Sequence, residues 1–322
     1  MPSTSSSLQL SIIIPIYNEA ANLAPLISNI RNSLNKTDLQ YEVLFVNDGS
    51  TDDTSDRLQE IHQEDNRFKM ICLKRNYGKS EAYMAGFKFA QGELIATMDG
   101  DMQDDPDDII LLIEEVRRGT DLAIGWKKTG KSSKMKFFLS KLFNKAITFL
   151  VKTPLHDLNC PLRVMKQEVA KSLYIYSSLH RYIPILVASQ GYRVNEVIVA
   201  NHERLHGVSR YSYFKYFESL FDLMTVLFVT YYRKRPLQFL GPIGLLAFLI
   251  GFSIDGYYSI LGITGIERMR NNIPSLMLGL TLIMIGVQII LTGLIGEMLS
   301  REIGASNPDQ ISSVKFTVGI VA

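Results

Sequence analysis

Two apolar runs near the C-terminal end, 237–254 and 273 to about 299, constrain this chain more than any other feature. The first, LQFLGPIGLLAFLIGFSI, carries no charge and extends to about Ile263 with Asp255 near a boundary; the second is interrupted chiefly by Gln288. A helix crossing a bilayer needs about 20 apolar residues, in a range of roughly 17–25, and both runs reach that length. The link between them, GIERMRNN, is short, so the expectation is a membrane hairpin rather than two core helices of a soluble fold. Tyr231-Tyr232-Arg233-Lys234-Arg235 precedes the first run, and a basic flank marks the cytoplasmic side; Arg268 and Arg270 in the link oppose this more weakly. An integral membrane protein with both termini in the cytoplasm follows. Gly251, Gly279, Gly286, Gly293 and Gly296 suit close helix packing or a homo-oligomer.

Ahead of the hairpin the chain is long enough for one sizeable α/β domain. The net charge of +2 is too small to point to nucleic acid. Residues 1–7 have no basic stretch followed by an apolar run, so they read as a disordered lead and not a signal peptide. Cys72 and Cys160, the two cysteines, read as reduced thiols, and no His/Cys spacing fits zinc.

Leu10–Ile16 is a continuous apolar run, as in a strand buried on both faces. Leu23, Leu26, Ile27, Ile30 and Leu34 then fall at helical spacing. Strand Tyr41–Val46, a turn at Asp48-Gly49-Ser50, a helix from near Thr51, strand Lys69–Leu73, a helix over about Ser80–Ala90 and strand Glu93–Met98 complete the alternation. Such alternation predicts a mostly parallel sheet with ligands at the strand C-termini. The polar clusters ending four strands, Tyr17/Asn18/Glu19, Asn47/Asp48, Arg75/Asn76 and Asp99/Asp101, are therefore expected to converge.

The segment Met98-Asp99-Gly100-Asp101-Met102-Gln103-Asp104-Asp105-Pro106 is the most informative. Two carboxylates one residue apart repel unless a cation lies between them. A hard divalent ion with oxygen ligands meets that need and bridges to a diphosphate. Gly100 leaves room for close approach. Asp107 and Asp108 read instead as the acidic first turn of a helix starting near Pro106. An EF-hand is excluded, since Asp104 stands where its glycine belongs and Ile110 where its glutamate belongs.

The ordered segments IIIPIYNEAANL, VNDGSTDDT, LKRNYGKSEA, ATMDGDMQDDP and DLNCPLRVM resemble family-2 glycosyltransferases of the GT-A fold. With the C-terminal hairpin, the chain is similar to polyprenyl-phosphate glycosyltransferases, the group that includes bactoprenol glucosyltransferases and dolichyl-phosphate mannose synthases. The resemblance spans about residues 8–300. It implies an α/β GT-A domain followed by amphipathic interfacial helices and the hairpin. It implies nucleotide-sugar contacts at Pro15, Tyr17, Asn18, Glu19, Asp48, Lys79, Asp99 and Gly100, with Asp48 on the base. It implies a Mg²⁺ or Mn²⁺ ion on Asp99 and Asp101 with Gln103 beside them, and Asp157 as the catalytic carboxylate with Asp101. The implied reaction carries a hexose from a nucleotide sugar, UDP-glucose favoured, to polyprenyl phosphate with inversion. GDP-mannose and UDP-N-acetylhexosamine are the other donors weighed, and a non-catalytic nucleotide-sugar-binding scaffold is the competing class. A processive polysaccharide synthase would carry a Gln-x-x-Arg-Trp motif, and the single tryptophan, Trp126, lies in none.

Two departures stand out. The pair that is often Asp-Asp begins here with Asn47, and Lys127, Lys128 and Lys131 stand where arginines are common. Lysine lacks arginine's fork for phosphate. Lys127, Lys131, Arg163, Arg204 and Ser209 are the candidates for acceptor or phosphate binding, Arg163 being equally suited to an internal salt bridge; His202 and His206 read as structural. Residues 127–152 hold eight lysines and no acid, with an apolar stripe through Met135, Phe138, Leu142 and Phe143, which suits an anionic membrane surface. The expected layout is a lead over 1–7, a catalytic domain over 8–210 with an interfacial helix at 133–152, and a juxtamembrane amphipathic helix over 211–235. Transmembrane helices over 236–300 and a cytoplasmic tail over 301–322 follow. The acceptor phosphate, with a second pKa near 6, is already largely anionic at neutral pH, so little general-base work is needed, and Asp157 orients the acceptor, takes a proton from the minor monoanion or stabilises positive charge at the anomeric carbon.

Overall fold

The computed structural model describes residues 8–128, 155–200, 236–264, 272–303 and 314–318, with the single residues 225, 228 and 232. The chain divides into two compact units, Met1–Tyr213 with Pro308–Ala322, and Phe214–Asn307.

The first unit is built on eight strands: β1 (Leu10–Ile16), β2 (Tyr41–Asn47), β3 (Phe68–Leu73), β4 (Leu94–Thr97), β5 (Leu122–Lys127), β6 (Arg163–Lys166), β7 (Val194–Val199) and β8 (Val314–Val318). Their order is β7-β5-β6-β4-β1-β2-β3-β8. The pairs β1/β2, β1/β4, β2/β3 and β5/β7 are parallel, giving the mostly parallel sheet that the alternation predicts. Helices α1 (Leu23–Leu34), α2 (Thr54–Glu64), α3 (Lys79–Phe89) and α4 (Asp107–Arg117) follow the first four strands, and α5 (Gln167–Ser172) and α6 (Ile183–Ser189) follow β6. The apolar runs of β1 and β2 are buried almost throughout, as helices on both faces require. On α1, Leu23, Leu26, Ile27, Ile30 and Leu34 are all buried, so the 3.6-residue spacing decides which face meets the sheet. Glu42, inside buried β2, accepts from Ser11 Oγ at 2.5 Å and Lys69 Nζ at 2.8 Å, which compensates burial of its charge.

Two strands interrupt the parallel pattern. β6 lies antiparallel between β4 and β5, with Arg163 opposite Thr97 and Ile124. Its direction brings its first residue, Arg163, to the edge where the parallel strands end, opposite Thr97, which stands two residues before Asp99. β8 comes from the tail and pairs antiparallel with β3, covering an edge that would otherwise present unpaired backbone groups. The tail had carried no structural signal in the sequence.

The second unit contains α7 (Pro236–Ile263) and α8 (Ile273–Ile303). Both are long and apolar enough to cross a membrane, with mean hydropathy 2.0 and 2.3 over their most apolar stretches. A Cβ at Gly286 would stand 2.5 Å from the Gly244 carbonyl oxygen, and one at Gly251 2.5 Å from that of Gly279. These glycines therefore face one another within the hairpin, where small residues let backbones approach. The amphipathic segments expected at 133–152 and 211–235 lie outside the described residues, apart from 225, 228 and 232.

Candidate active site

The loops following β1, β2, β3 and β4 border a cleft of about 330 Å³ lined by Pro15, Tyr17, Glu19, Asp48, Asn76, Lys79, Asp99, Gly100 and Asp101, among others. Four strand ends far apart in sequence thus meet in space, because the parallel register brings them to one edge of the sheet. Asn18 belongs to the wall rather than the lining. Its φ is 55°, its N–H donates to Ser50 Oγ at 2.9 Å, and its Oδ1 accepts from Thr51 N–H at 2.8 Å, tying the β1 loop to the β2 loop. Asn47, the departure from the Asp-Asp pattern, is fully buried. Its amide donates to Ser55 Oγ at 2.7 Å and accepts from Ser50 N–H at 2.8 Å, so it holds the turn that presents Asp48. The Asp48 carboxylate accepts from Tyr77 N–H at 2.7 Å and Gly78 N–H at 2.8 Å. Burial pushes its pKa up, against the pull of those two N–H groups.

Lys79 opens α3 and reaches Asp99, Nζ to Oδ1 2.5 Å. Burial opposes its charge, but Asp99 and Tyr83 together outweigh that and hold Lys79 above its ordinary range. Behind this pair, Asp104 is 4 % exposed and accepts from Asp99 N–H at 3.0 Å. Lys127 Nζ lies 2.6 Å from the other Asp104 oxygen. Burial and the nearby Asp99 charge push Asp104 upward against Lys127. Lys127, read from sequence as a phosphate ligand, is thus engaged in shaping the acidic loop. Gly100 packs inward, since a Cβ there would meet Ile16 Cγ2 at 3.0 Å. Met102 has φ 65°, and Gln103 N–H donates to Asp101 Oδ1 at 3.2 Å. Among the described residues Asn18, Met102 and Ser177 are the non-glycine residues with positive φ; all three lie in loops at this edge, where such strain gathers at functional sites.

A second cavity, about 320 Å³, shares Lys79, Asp99 and Asp101 with the first and adds Tyr83, Gln103, Lys127, Asn159, Pro161, Arg163, His180 and Arg181. Arg163 is 2 % exposed. Its Nη1 donates to the His180 carbonyl oxygen at 3.0 Å, while Nε has no partner and no carboxylate among the described residues pairs with it. Among the described residues, the salt bridge allowed from the sequence is therefore not formed. Tyr83 Oη is likewise buried without a partner among the described residues, and burial pushes its pKa up to about 12. His180 Nδ1 lies 3.0 Å from Ser80 Oγ, whose own proton goes to the Ser177 carbonyl at 2.6 Å. Burial, then the charges of Lys79, Arg163 and Arg181, pull His180 down to about 3, so it stays neutral. Two buried donors without acceptors among the described residues, in a cavity that Lys79, Lys127 and Arg181 line together with Asp99 and Asp101, suit an oxyanion on their side of it.

Asp157 lies in the loop before β6. Its backbone N–H donates to Glu196 at 2.7 Å, and its Oδ1 accepts from Asn159 N–H at 3.3 Å. Burial raises its pKa above the ordinary carboxylate value. Lys131, Arg204 and Ser209 lie outside the described residues. Tyr83, Asp104, His180 and Glu196 escaped the sequence reading. Tyr83 sits on a helix whose apolar neighbours mask it, Asp104 lies in the acidic segment with no separate role assigned to it, and His180 and Glu196 belong to no motif.

For a metal, the donors that the resemblance implies would be Asp99 and Asp101 with the Gln103 amide, of which Asp99 Oδ1 is paired with Lys79. No group of three His, Cys, Asp or Glu side chains converges among the described residues. Two carboxylates and an amide fit a hard divalent ion that completes its shell with diphosphate oxygens and water.

The model of the glycosyl transferase family 2 domain matches residues 11–174. A dodecaprenyl-phosphate galacturonate synthase of Rhizobium johnstonii is 36 % identical over 310 residues, covering 92 % of this chain and 88 % of that protein. An undecaprenyl-phosphate 4-deoxy-4-formamido-L-arabinose transferase of Proteus mirabilis is 31 % identical, covering 91 % and 89 %. Among solved structures, glucosyl-3-phosphoglycerate synthase of Mycobacterium tuberculosis, in complex with Mn²⁺ and UDP-glucose, superposes with TM-score 0.53 at 15 % identity, covering 70 % of this chain and 79 % of that one. At that identity the likeness speaks for the fold alone.

Proposed function

This chain belongs to glycosyl transferase family 2, and on that premise we propose that it transfers a sugar from a nucleoside diphosphate sugar to a polyprenyl phosphate at the cytoplasmic face of a membrane. The observation that carries this reading is the pair of adjoining cavities sharing Lys79, Asp99 and Asp101. The first offers the strand-end loops and the acidic pair that suit a nucleotide and its diphosphate. The second offers Arg163 and Tyr83, buried donors for an anion entering from the other side. The names of the two similar proteins carry polyprenyl phosphates, and the two apolar helices would keep the domain beside such a lipid. The chain up to Tyr213 and from Pro308 onward belongs to the sheet unit, which agrees with two crossings and both termini on one side.

Asp99 and Asp101, with Gln103, would hold a divalent cation, which when bound neutralises charge on the departing nucleoside diphosphate. Lys79, beside Asp99, supplies further positive charge to the same group. Arg163 and Tyr83 orient the acceptor phosphate, and Asp157 steers its oxygen toward the anomeric carbon. The phosphate oxygen forms the new bond to that carbon while the bond to the donor's diphosphate breaks, the electron pair leaving with the nucleoside diphosphate and the configuration inverting. Positioning and electrostatic stabilisation supply most of the acceleration.

The base is read as uracil, from Asp48. Glucose is the sugar suggested by the family resemblance; galacturonate and formamido-arabinose stand beside it through the names of the similar proteins. The test is transfer of label from UDP-glucose, UDP-galacturonate, UDP-4-deoxy-4-formamido-L-arabinose, UDP-N-acetylglucosamine and GDP-mannose to undecaprenyl phosphate in detergent. Each is run with Mn²⁺, with Mg²⁺ and with EDTA. One donor labelling the lipid in a metal-dependent manner is the expected result. Nucleotide binding without transfer from any donor would favour the scaffold.

A further inference from the structure

We propose that Glu196 is a positioning residue for Asp157, fixing the backbone of the loop on which that carboxylate is carried. The proposal rests on the transferase reading above for its catalytic consequence, though not for the clamp itself. Glu196 lies on β7, opposite Ile124 of β5 in the parallel register, and its side chain is 7 % exposed. One carboxylate oxygen accepts two consecutive backbone N–H groups, His156 at 2.6 Å and Asp157 at 2.7 Å. The other lies 2.9 Å from His156 Nδ1. An ionised carboxylate only accepts, so the proton of a neutral His156 sits on Nδ1. The His156 ring stacks on Trp126 of β5, with centroids 4.2 Å apart and planes inclined by 12°. The loop before β6 has no helix or strand around Asp157, and its two anchors come from neighbouring strands, Glu196 through hydrogen bonds and Trp126 through stacking.

Three bonds from one buried carboxylate to two adjacent residues are more than solubility requires. They restrain φ and ψ at the residue whose side chain must meet the acceptor. A displacement of about 1 Å at such a group lowers turnover by roughly 100-fold. The placement also sets a negative charge near Asp157, which adds to the upward push that burial gives its pKa.

The experiment uses the full chain in detergent, with amide hydrogen exchange at His156 and Asp157, UDP–Mn²⁺ affinity, and kcat with the donor that wild type turns over. Glu196→Ala is expected to speed exchange at both amides at least about tenfold, lower kcat about 10- to 100-fold, and leave UDP affinity within about twofold. Glu196→Gln keeps an oxygen for both N–H groups, so it should retain protection and recover most of kcat. In an Asp157→Asn background, Glu196→Ala should lower the residual rate by less than about twofold, because a positioning residue acts through the group it positions. Unchanged amide protection in Glu196→Ala, or the same fold loss with and without Asp157, would overturn the proposal. If Glu196→Ala does not fold, Glu196→Asp, one methylene shorter, takes its place with the same expectations. Absence of transfer by the wild type defeats the transferase reading, while amide exchange still decides the clamp.

Discussion

Replacing Arg163 by methionine should leave the protein as stable as before, or more so, while removing most of its use of the lipid acceptor. The two effects have separate origins. Arg163 is 2 % exposed and pairs with no carboxylate among the described residues. An uncompensated buried ion carries an effective penalty of several kcal/mol, which methionine removes while filling similar space. Against that stands the bond from Nη1 to the His180 carbonyl oxygen, about 1.5–3 kcal/mol for a charged donor. The balance in the free protein is near zero or favourable to methionine. Toward an acceptor phosphate, two charge-assisted bonds from the guanidinium contribute at least about 3 kcal/mol together. At 1.4 kcal/mol per decade that is a loss of roughly 100-fold in kcat/KM for undecaprenyl phosphate. Arg163→Lys should fall between, retaining charge without the fork. Thermal unfolding in detergent and steady-state transfer at varied lipid measure the two sides. A methionine variant whose Tm drops by about 5 °C or more, with acceptor kcat/KM within about threefold of wild type, would refute the reasoning and make Arg163 a structural residue.

Lys127→Met should strand the buried Asp104 carboxylate and destabilise the catalytic domain by about 3–5 kcal/mol; adding Asp104→Asn should recover part of the loss in thermal unfolding. Asp157, lifted above the ordinary carboxylate range by burial and further by Glu196, against the N–H groups and charge of Asn159 and Lys127, becomes protonated as pH falls through that raised value. Its activity is therefore present above that pH and lost below it. Asp157→Asn should remove this limb from the kcat profile and leave the limb near pH 6 that belongs to the acceptor phosphate. Gly286→Val places a Cβ 2.5 Å from the Gly244 carbonyl oxygen and should loosen the hairpin by about 1–3 kcal/mol. Protease resistance of α7 and α8 should fall, while UDP binding by the sheet domain stays unchanged.

The α/β class, the two apolar helices and the convergence of the strand-end loops on one cleft were legible in the chain because each rests on local regularities. Alternation of strand and helix, the length of two uncharged runs, and polar residues following apolar strands can all be counted along the sequence. Leu10–Ile16 coincides with β1, and Pro15, Tyr17, Asp48, Lys79, Asp99 and Asp101 meet in one cleft because parallel strands end at the same edge. The second cavity was not legible in the same way. Arg163 reaches the site because β6 runs against its neighbours, and nothing within four residues of sequence announces a strand's direction. Tyr83, Asp104, His180 and Glu196 acquire their roles from groups 5 to 100 positions away, or from having none. The tail strand β8 pairs with β3 across the whole hairpin. Composition and periodicity decide which faces of a segment are buried; whether a buried polar group finds a partner is decided by register and packing among distant segments, and only the assembled fold carries that information.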